Sequence, residues 1–371
     1  MFSFRVAVTR VVANLGAIAL LDSGLSSTPN PDAAASVVRL DAAASMARLD
    51  AAASMARPDA AASMARPDAA ASMARPDAGA VEAARLMERS LETIRQLRQA
   101  RGLPIDRSLD PNGTGIIGEE FTPLTTSLGD VEAKRTSANP AFAALLVRCF
   151  RHARLGRGDV VAVGASGSFP ALLLATLSAA RVLELDPVVI YSIGSSMYGA
   201  NLPRFTFVDM LEALRRDGVL PYRLTAVSPG GDEDRGAGVL FDEAGTTLLD
   251  ETRRSGVPEV GGVSLADSIR RRMAIYEAAA LRRPVRAFVN IGGASASFGD
   301  TAASLVLPNG LVLRAPEAPA SPSRGVVFEF AARGVPVVHL LHVRGLAEAS
   351  HLPYDPVPFP PIGEGDIYRE R

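Results

Sequence analysis

The sequence predicts an α/β fold, a mostly parallel sheet with helices on both faces, and three observations lead to it. β-branched apolar runs such as DVVAV (159–163) and VRAFVNI (285–291) alternate with stretches of helical periodicity. Loops rich in Gly, Ser or charge follow those runs, as at the carboxyl ends of parallel strands. The chain has 371 residues, 48% of them hydrophobic, enough to bury a large core.

Two segments precede the predicted domain, which we place at 81–371. Residues 1–22 carry Arg5 and Arg10 ahead of VVANLGAIALL (11–21), the pattern of a signal peptide or short signal anchor. That apolar run has 11 residues where a spanning helix needs about 17–25, and the arginines favour an N-in, C-out topology. The expectation is a single N-terminal anchor in the cell membrane with the domain extracytoplasmic; the alternative is a cytoplasmic protein.

Residues 23–80 are predicted to be a linker. Nonapeptides of the type LDAAASMAR and PDAAASMAR run in tandem from 31 to 75. Nine residues turn a helix by about 900°, so successive methionines fall on opposite faces and no continuous apolar stripe forms. Pro58, Pro67 and Pro76 each interrupt helical hydrogen bonding.

Within the domain, Val81, Leu86, Leu91, Ile94 and Leu97 form one apolar face of a helix that stops at Gly102 before Pro104. Further helices are predicted near 140–154, 169–183, 206–216, 243–255, 264–281 and 324–333. Strands are predicted at 159–163, 187–193, 222–227, 285–291 and 335–341. Parallel strands bring the loops 164–170, 194–201, 228–236, 292–300 and 342–345 to one edge of the sheet.

Two of these loops carry nearly the same hexapeptide, GASGSF at 164–169 and GASASF at 293–298. We expect them to form two walls of one cleft. In the first, Pro170 suits an opening helical turn and Ser168 can cap it, so free backbone N–H groups can attract a phosphate, a carboxylate or an oxyanion. Residues 164–168 also read G-x-S-x-S, close to the hydrolase elbow G-x-S-x-G. On that reading Ser166 or Ser168 is the nucleophile and His339, later in the chain, its base. The alternative for the hexapeptides is tight turns and close packing, and for His339 a structural role.

TPLTTSLGDVEAKRTSANP (122–140) concentrates hydroxyls with the adjacent cations Lys134 and Arg135. Arg135 can grip a carboxylate bidentately while Lys134 offers a compact point charge, or an internal salt bridge with Glu132 or Asp130 orders the loop. Lys134 is the sole lysine beside 38 arginines. The candidate binding residues are therefore Gly164, Ser168, Lys134 and Arg135, with Asn290, Gly293, Ser295 and Ser297 from the second hexapeptide and its strand. One cysteine, Cys149, and four histidines give no metal-ligand spacing, so neither a metal nor a cofactor is expected. A net charge of −1 calls for no nucleic acid.

Several long blocks, in order, resemble the poly-gamma-glutamate system protein family. They are DPNGTGIIGEEFTPLTTSLGDVEAKRTSANPAFAALLV (110–147), GDVVAVGASGSFPALLLATLSAA (158–180), VNIGGASASFG (289–299), GVPVVHLLHVRGLA (334–347) and LPYDPVPFPPIGEGDIY (352–368). The similarity covers roughly residues 80–368. It implies a role in bacterial synthesis or export of poly-gamma-glutamate, with the polymer or its synthase and export subunits as partners, and a membrane segment at the start of the chain. It implies a process rather than a mechanism. Two actions follow: a non-enzymatic accessory subunit that binds the anionic polymer or the synthase, or a serine-dependent hydrolase or transferase of gamma-glutamyl chains.

Overall fold

The computed structural model describes residues 75–237, 244–281, 283–301, 303–304 and 307–370. The anchor expected at 1–22 and the repeat up to residue 74 lie outside the described residues. Among the described residues no helix is long and apolar enough to cross a membrane.

Helix α1 spans Ala78–Ala100, three residues earlier than the periodicity predicts, because Asp77 caps it by accepting from Ala80 N at 3.0 Å. Its buried stripe includes Ala83, Met87, Leu91 and Ile94. A short strand β1 (Thr125–Ser127) and helix α2 (Val131–Ser137) follow, and then α3 (Ala141–His152). Strand β2 (Val160–Ser166) leads into α4 (Pro170–Val182), and β3 (Asp186–Ser192) is followed by β4 (Ser195–Ser196) and α5 (Phe207–Arg216).

The second half holds β5 (Ala226–Ser228), α6 (Ala244–Arg254) and α7 (Leu265–Ala279). It continues through β6 (Val285–Ile291), α8 (Ser295–Phe298), β7 (Gly310–Val312), α9 (Val326–Ala332), β8 (Val337–Leu340) and α10 (Val343–Ala349).

The main sheet is mixed and mostly parallel, six strands in the order β5-β3-β2-β6-β8-β7, with only β7 antiparallel. β1 and β4 form a separate two-stranded parallel pair. Alternate strand residues serve different cores, as the period of two requires. Val161, Val163, Val189 and Val289 pack with α1, α3 and α4, whereas Val160, Ala162, Ile190 and Phe288 pack with α7 and α9.

Three differences from the sequence reading have local causes. β5 is confined to 226–228, since its ladder with β3 opens only at the bond from Thr225 N to Val189 O, 2.8 Å. The edge strand β7 has three residues, too few for a readable alternation. The predicted loops 292–300 and 342–345 contain α8 and the start of α10, the latter capped by His342, whose Nδ1 accepts from Gly345 N at 3.3 Å.

Candidate functional site

The strand order sets where a site can lie. From β2 the chain moves outward to β3 and β5 on one side, then returns to β6 on the other side of β2 and moves outward to β8. The reversal falls between β2 and β6, and a doubly wound sheet opens its crevice at the carboxyl ends of such a pair. GASGSF begins in β2 and GASASF follows β6, so the two hexapeptides flank this point.

They interlock there. Gly164 pairs in register with Asn290, and a Cβ added at Gly164 would lie 2.5 Å from Ser297 Oγ. Reciprocally, a Cβ added at Gly292, which has φ +76°, would lie 2.6 Å from Ser166 Oγ. Ser297 of the second hexapeptide thus lies over Gly164 of the first, and Ser166 of the first over Gly292, the residue just before the second, approaches that only a missing side chain permits.

The neighbouring loops close in on the same edge. Gly167 N donates to Ser192 O at 2.9 Å and to Gly194 O at 3.1 Å, and Gly194 N donates to Pro229 O at 2.9 Å. Ser295 Oγ donates to Gly231 O at 2.8 Å, and Gly292 N to Leu340 O at 2.9 Å. Four of the five loops, 164–170, 194–201, 228–236 and 292–300, do meet, but largely backbone to backbone, so the edge is a packed surface more than a deep cleft. Ser166 and Ser297 are buried beneath it, while Ser168 and Ser295 are half-buried and Gly293 is exposed. A cavity of about 230 Å³ lies elsewhere, lined by Asn139, His351, Leu352 and Tyr368 among others, and touches none of these loops.

Lys134 binds the first hexapeptide from the side. The Asp130 side chain, accepting from Glu132 N at 2.9 Å, starts α2 so that Lys134 turns inward with 3% of its surface exposed. Its Nζ donates to Ser168 O at 2.5 Å and to Ser196 Oγ at 2.7 Å, and sits 3.6 Å from the centre of the Phe169 ring. Ser196 N in turn donates to Ser168 Oγ at 3.0 Å. The Ser168 hydroxyl is therefore engaged by the loop after β3, and α4 begins with no side-chain cap. Arg135 faces a different neighbour: Nε donates to Asp355 Oδ1 at 2.7 Å and Nη2 to Asp355 Oδ2.

Comparison with protein-family models, with curated proteins and with solved structures finds no match.

His339 lies in β8, in register with Asn290, and 1% of its surface is exposed. Its Nδ1 is 3.1 Å from Asn290 Nδ2, and its ring stacks on Phe298 at 6.3 Å. Since Asn290 Nδ2 is a donor, Nδ1 is the acceptor in this pair. Burial pushes the imidazole down to about 4, so it is neutral near pH 7. The structure brings His339 to Asn290 and to neither Ser166 nor Ser168, so the order Ser, Asp, His in the chain does not become a triad in space.

The sequence reading missed Ser196, Asp355 and a buried ion pair. Arg272 of α7 and Asp234 of the loop after β5 meet with both side chains fully buried. Ser196 and Asp355 carry no local signal; each is recognised only by the cation that reaches it across the fold. Among the described residues, no group of three or more His, Cys, Asp or Glu side chains could hold a metal ion.

Proposed function

We propose that the chain serves bacterial poly-gamma-glutamate production as an accessory component, holding the gamma-glutamyl chain at the carboxyl edge of its sheet. The observation that carries this reading is the pair of hexapeptides astride the point where the strand order reverses. The blocks that carry the family resemblance also converge in space. Lys134 of the first reaches Ser168 of the second, Gly164 of the second lies under Ser297 of the third, and Arg135 of the first grips Asp355 of the last.

Titration calorimetry with gamma-linked glutamate oligomers tests it. Ser168 is half-buried at the edge, so Ser168→Asp sets a negative charge beside an incoming carboxylate and should weaken binding about tenfold. The loss should shrink with salt, because exposed charges are screened over about 8–10 Å at 0.10–0.15 M ionic strength. Absence of binding by the wild-type chain would overturn the proposal. Ser297→Asp is unsuitable, since that hydroxyl is 1% exposed and a carboxylate there would unfold the edge.

In this reading residues 1–22 tether the domain to the outer side of the cell membrane. A reporter fused after residue 80 should then be extracytoplasmic and sediment with membranes. A soluble cytoplasmic reporter removes that part of the proposal.

A further inference from the structure

We propose that Ser168, Ser196 and Lys134 form an acyl-transfer centre in which Ser168 is the nucleophile and Lys134 accepts its proton through Ser196. For its substrate, a gamma-glutamyl amide, the inference rests on the function proposed above; for the centre itself it does not.

Three observations support it. Ser196 contacts both partners, its Oγ accepting from Lys134 Nζ at 2.7 Å and its backbone N donating to Ser168 Oγ at 3.0 Å. The ordering of exposure is that of a reactive group backed by its base: Lys134 and Ser196 are 3% and 6% exposed, and Ser168 is half-buried at the surface. Ser166, the other serine of the elbow-like motif, lies buried under Gly292 and is not reachable.

The third observation is compositional. In a chain with 38 arginines the only lysine stands at this position. A site that needed only a fixed positive charge and hydrogen-bond donors is served by arginine, which keeps its proton in proteins. An amine that must give up and retake a proton cannot be replaced in that way. Next to Ser168, the uncapped amino end of α4 adds a positive pole where negative charge develops on the substrate oxygen.

The step balances within the chain and its substrate. In the reactive state Lys134 is neutral and the Ser196 hydroxyl donates to Nζ. Ser168 Oγ, turned from Ser196 N onto Ser196 Oγ, forms a bond to the amide carbonyl carbon, passing its proton to Ser196 Oγ while Ser196 passes its own to Lys134 Nζ. The C–N bond then breaks, and the proton returns along the same path to the leaving amine. Water, or the amine of another chain, attacks the resulting ester and frees Ser168, giving hydrolysis or transfer.

The test is labelling of the full chain with a fluorophosphonate, which reacts with activated serines. Mass spectrometry should place the label on Ser168, and Ser168→Ala should abolish it. Lys134→Arg keeps the charge and loses the base, so labelling should slow by about 10²-fold or more, as should Ser196→Ala. The wild-type rate should rise with pH through one titration, and that dependence should vanish in Lys134→Arg, a change that a purely structural lysine would not produce. Should Lys134→Arg fail to fold, as judged by circular dichroism, Ser196→Ala and the wild-type pH profile decide the matter. Absence of labelling, label on Ser166 or another residue, or equal rates in wild type and Ser196→Ala would overturn the centre. Gamma-linked oligomers separate the two proposals. Lys134-dependent labelling without oligomer binding keeps the centre and removes the polymer. Binding without labelling keeps the polymer and removes the centre.

Discussion

The guanidinium of Arg272 and the carboxylate of Asp234 meet at 2.8 Å with both side chains wholly buried. Nε and Nη2 of Arg272 both reach the carboxylate, and Nη2 also donates to Ser192 Oγ at 3.0 Å and Ser228 Oγ at 2.6 Å. This network ties α7 to the ends of β3 and β5 and to the Gly-rich loop that continues from Ser228. Arg272 Nη1 is left without a partner, so the network is not fully satisfied.

Burying two charges is costly, and removing one of them leaves the other uncompensated. Asp234→Ala or Arg272→Ala should therefore each lower the unfolding free energy by about 3–5 kcal/mol. The pair Asp234→Leu with Arg272→Met should cost far less than the two single changes together, because no stranded charge remains. Urea unfolding of these three variants and the wild type checks this, and additive losses would show that the pair is not coupled.

His339 makes stability depend on pH in a defined direction. Burial lowers its folded-state value to about 4, whereas an unfolded histidine titrates near 6.5. Above about pH 6.5 both states are neutral and nothing is lost; as pH falls toward 4 the unfolded state takes up a proton that the folded state refuses. The loss approaches roughly 3 kcal/mol at the lower end. His339→Gln keeps an acceptor for Asn290 and should flatten the wild-type curve between pH 6.5 and 5, measured by thermal melts across that range.

Cys149 sits in α3 with 6% of its surface exposed, and burial pushes its thiol up to about 12. The thiolate is the reactive form, so a disulfide reagent at pH 8 should fail to modify the native protein and react fully in denaturant. Rapid modification of the native chain would mean that α3 opens locally.

Removal of residues 31–74 should leave the melting temperature of the domain within about 2 °C, since the repeat has no continuous apolar face to dock. Truncation three residues further should not be neutral. Glu370 N donates to Arg75 O at 2.9 Å, Asp77 N donates to Tyr368 O at 2.8 Å, and Asp77 both caps α1 and pairs with Arg151. A chain starting at Ala78 should lose about 1–2 kcal/mol through the missing cap alone, read by calorimetry on the two truncations.

Much of the architecture was legible because it rests on local periodicity. β6 occupies the predicted 285–291, and α3, α4 and α5 fall within one or two residues of their predicted bounds. Elements of three or four residues, such as β7 and α8, are shorter than any period that could announce them. Adjacency misled at Lys134 and Arg135: consecutive residues on a helix point about 100° apart, so one meets Ser168 and Ser196 and the other Asp355. Pairings such as Arg272 with Asp234 arise from crossover connections, and nothing near either residue in the sequence encodes the partner.

The repeated hexapeptide can be tested as a contact. Gly164 has Ser297 Oγ and the Phe288 ring where a methyl group would go, 2.5 Å and 3.0 Å away, so Gly164→Ala should destabilise by about 1–3 kcal/mol through overpacking. Ser297 Oγ is buried without a hydrogen-bond partner, so Ser297→Ala removes an unsatisfied polar atom and should be neutral or slightly stabilising. In the double variant the new methyl meets the space that the hydroxyl vacated, leaving only the contact with Phe288. The double variant should therefore recover at least 0.5 kcal/mol relative to the sum of the single changes, the size of coupling that residues in direct contact show. Strict additivity in denaturant titrations would show that the two loops do not touch here, and with that contact would go the interlocked edge on which the polymer-binding proposal is built.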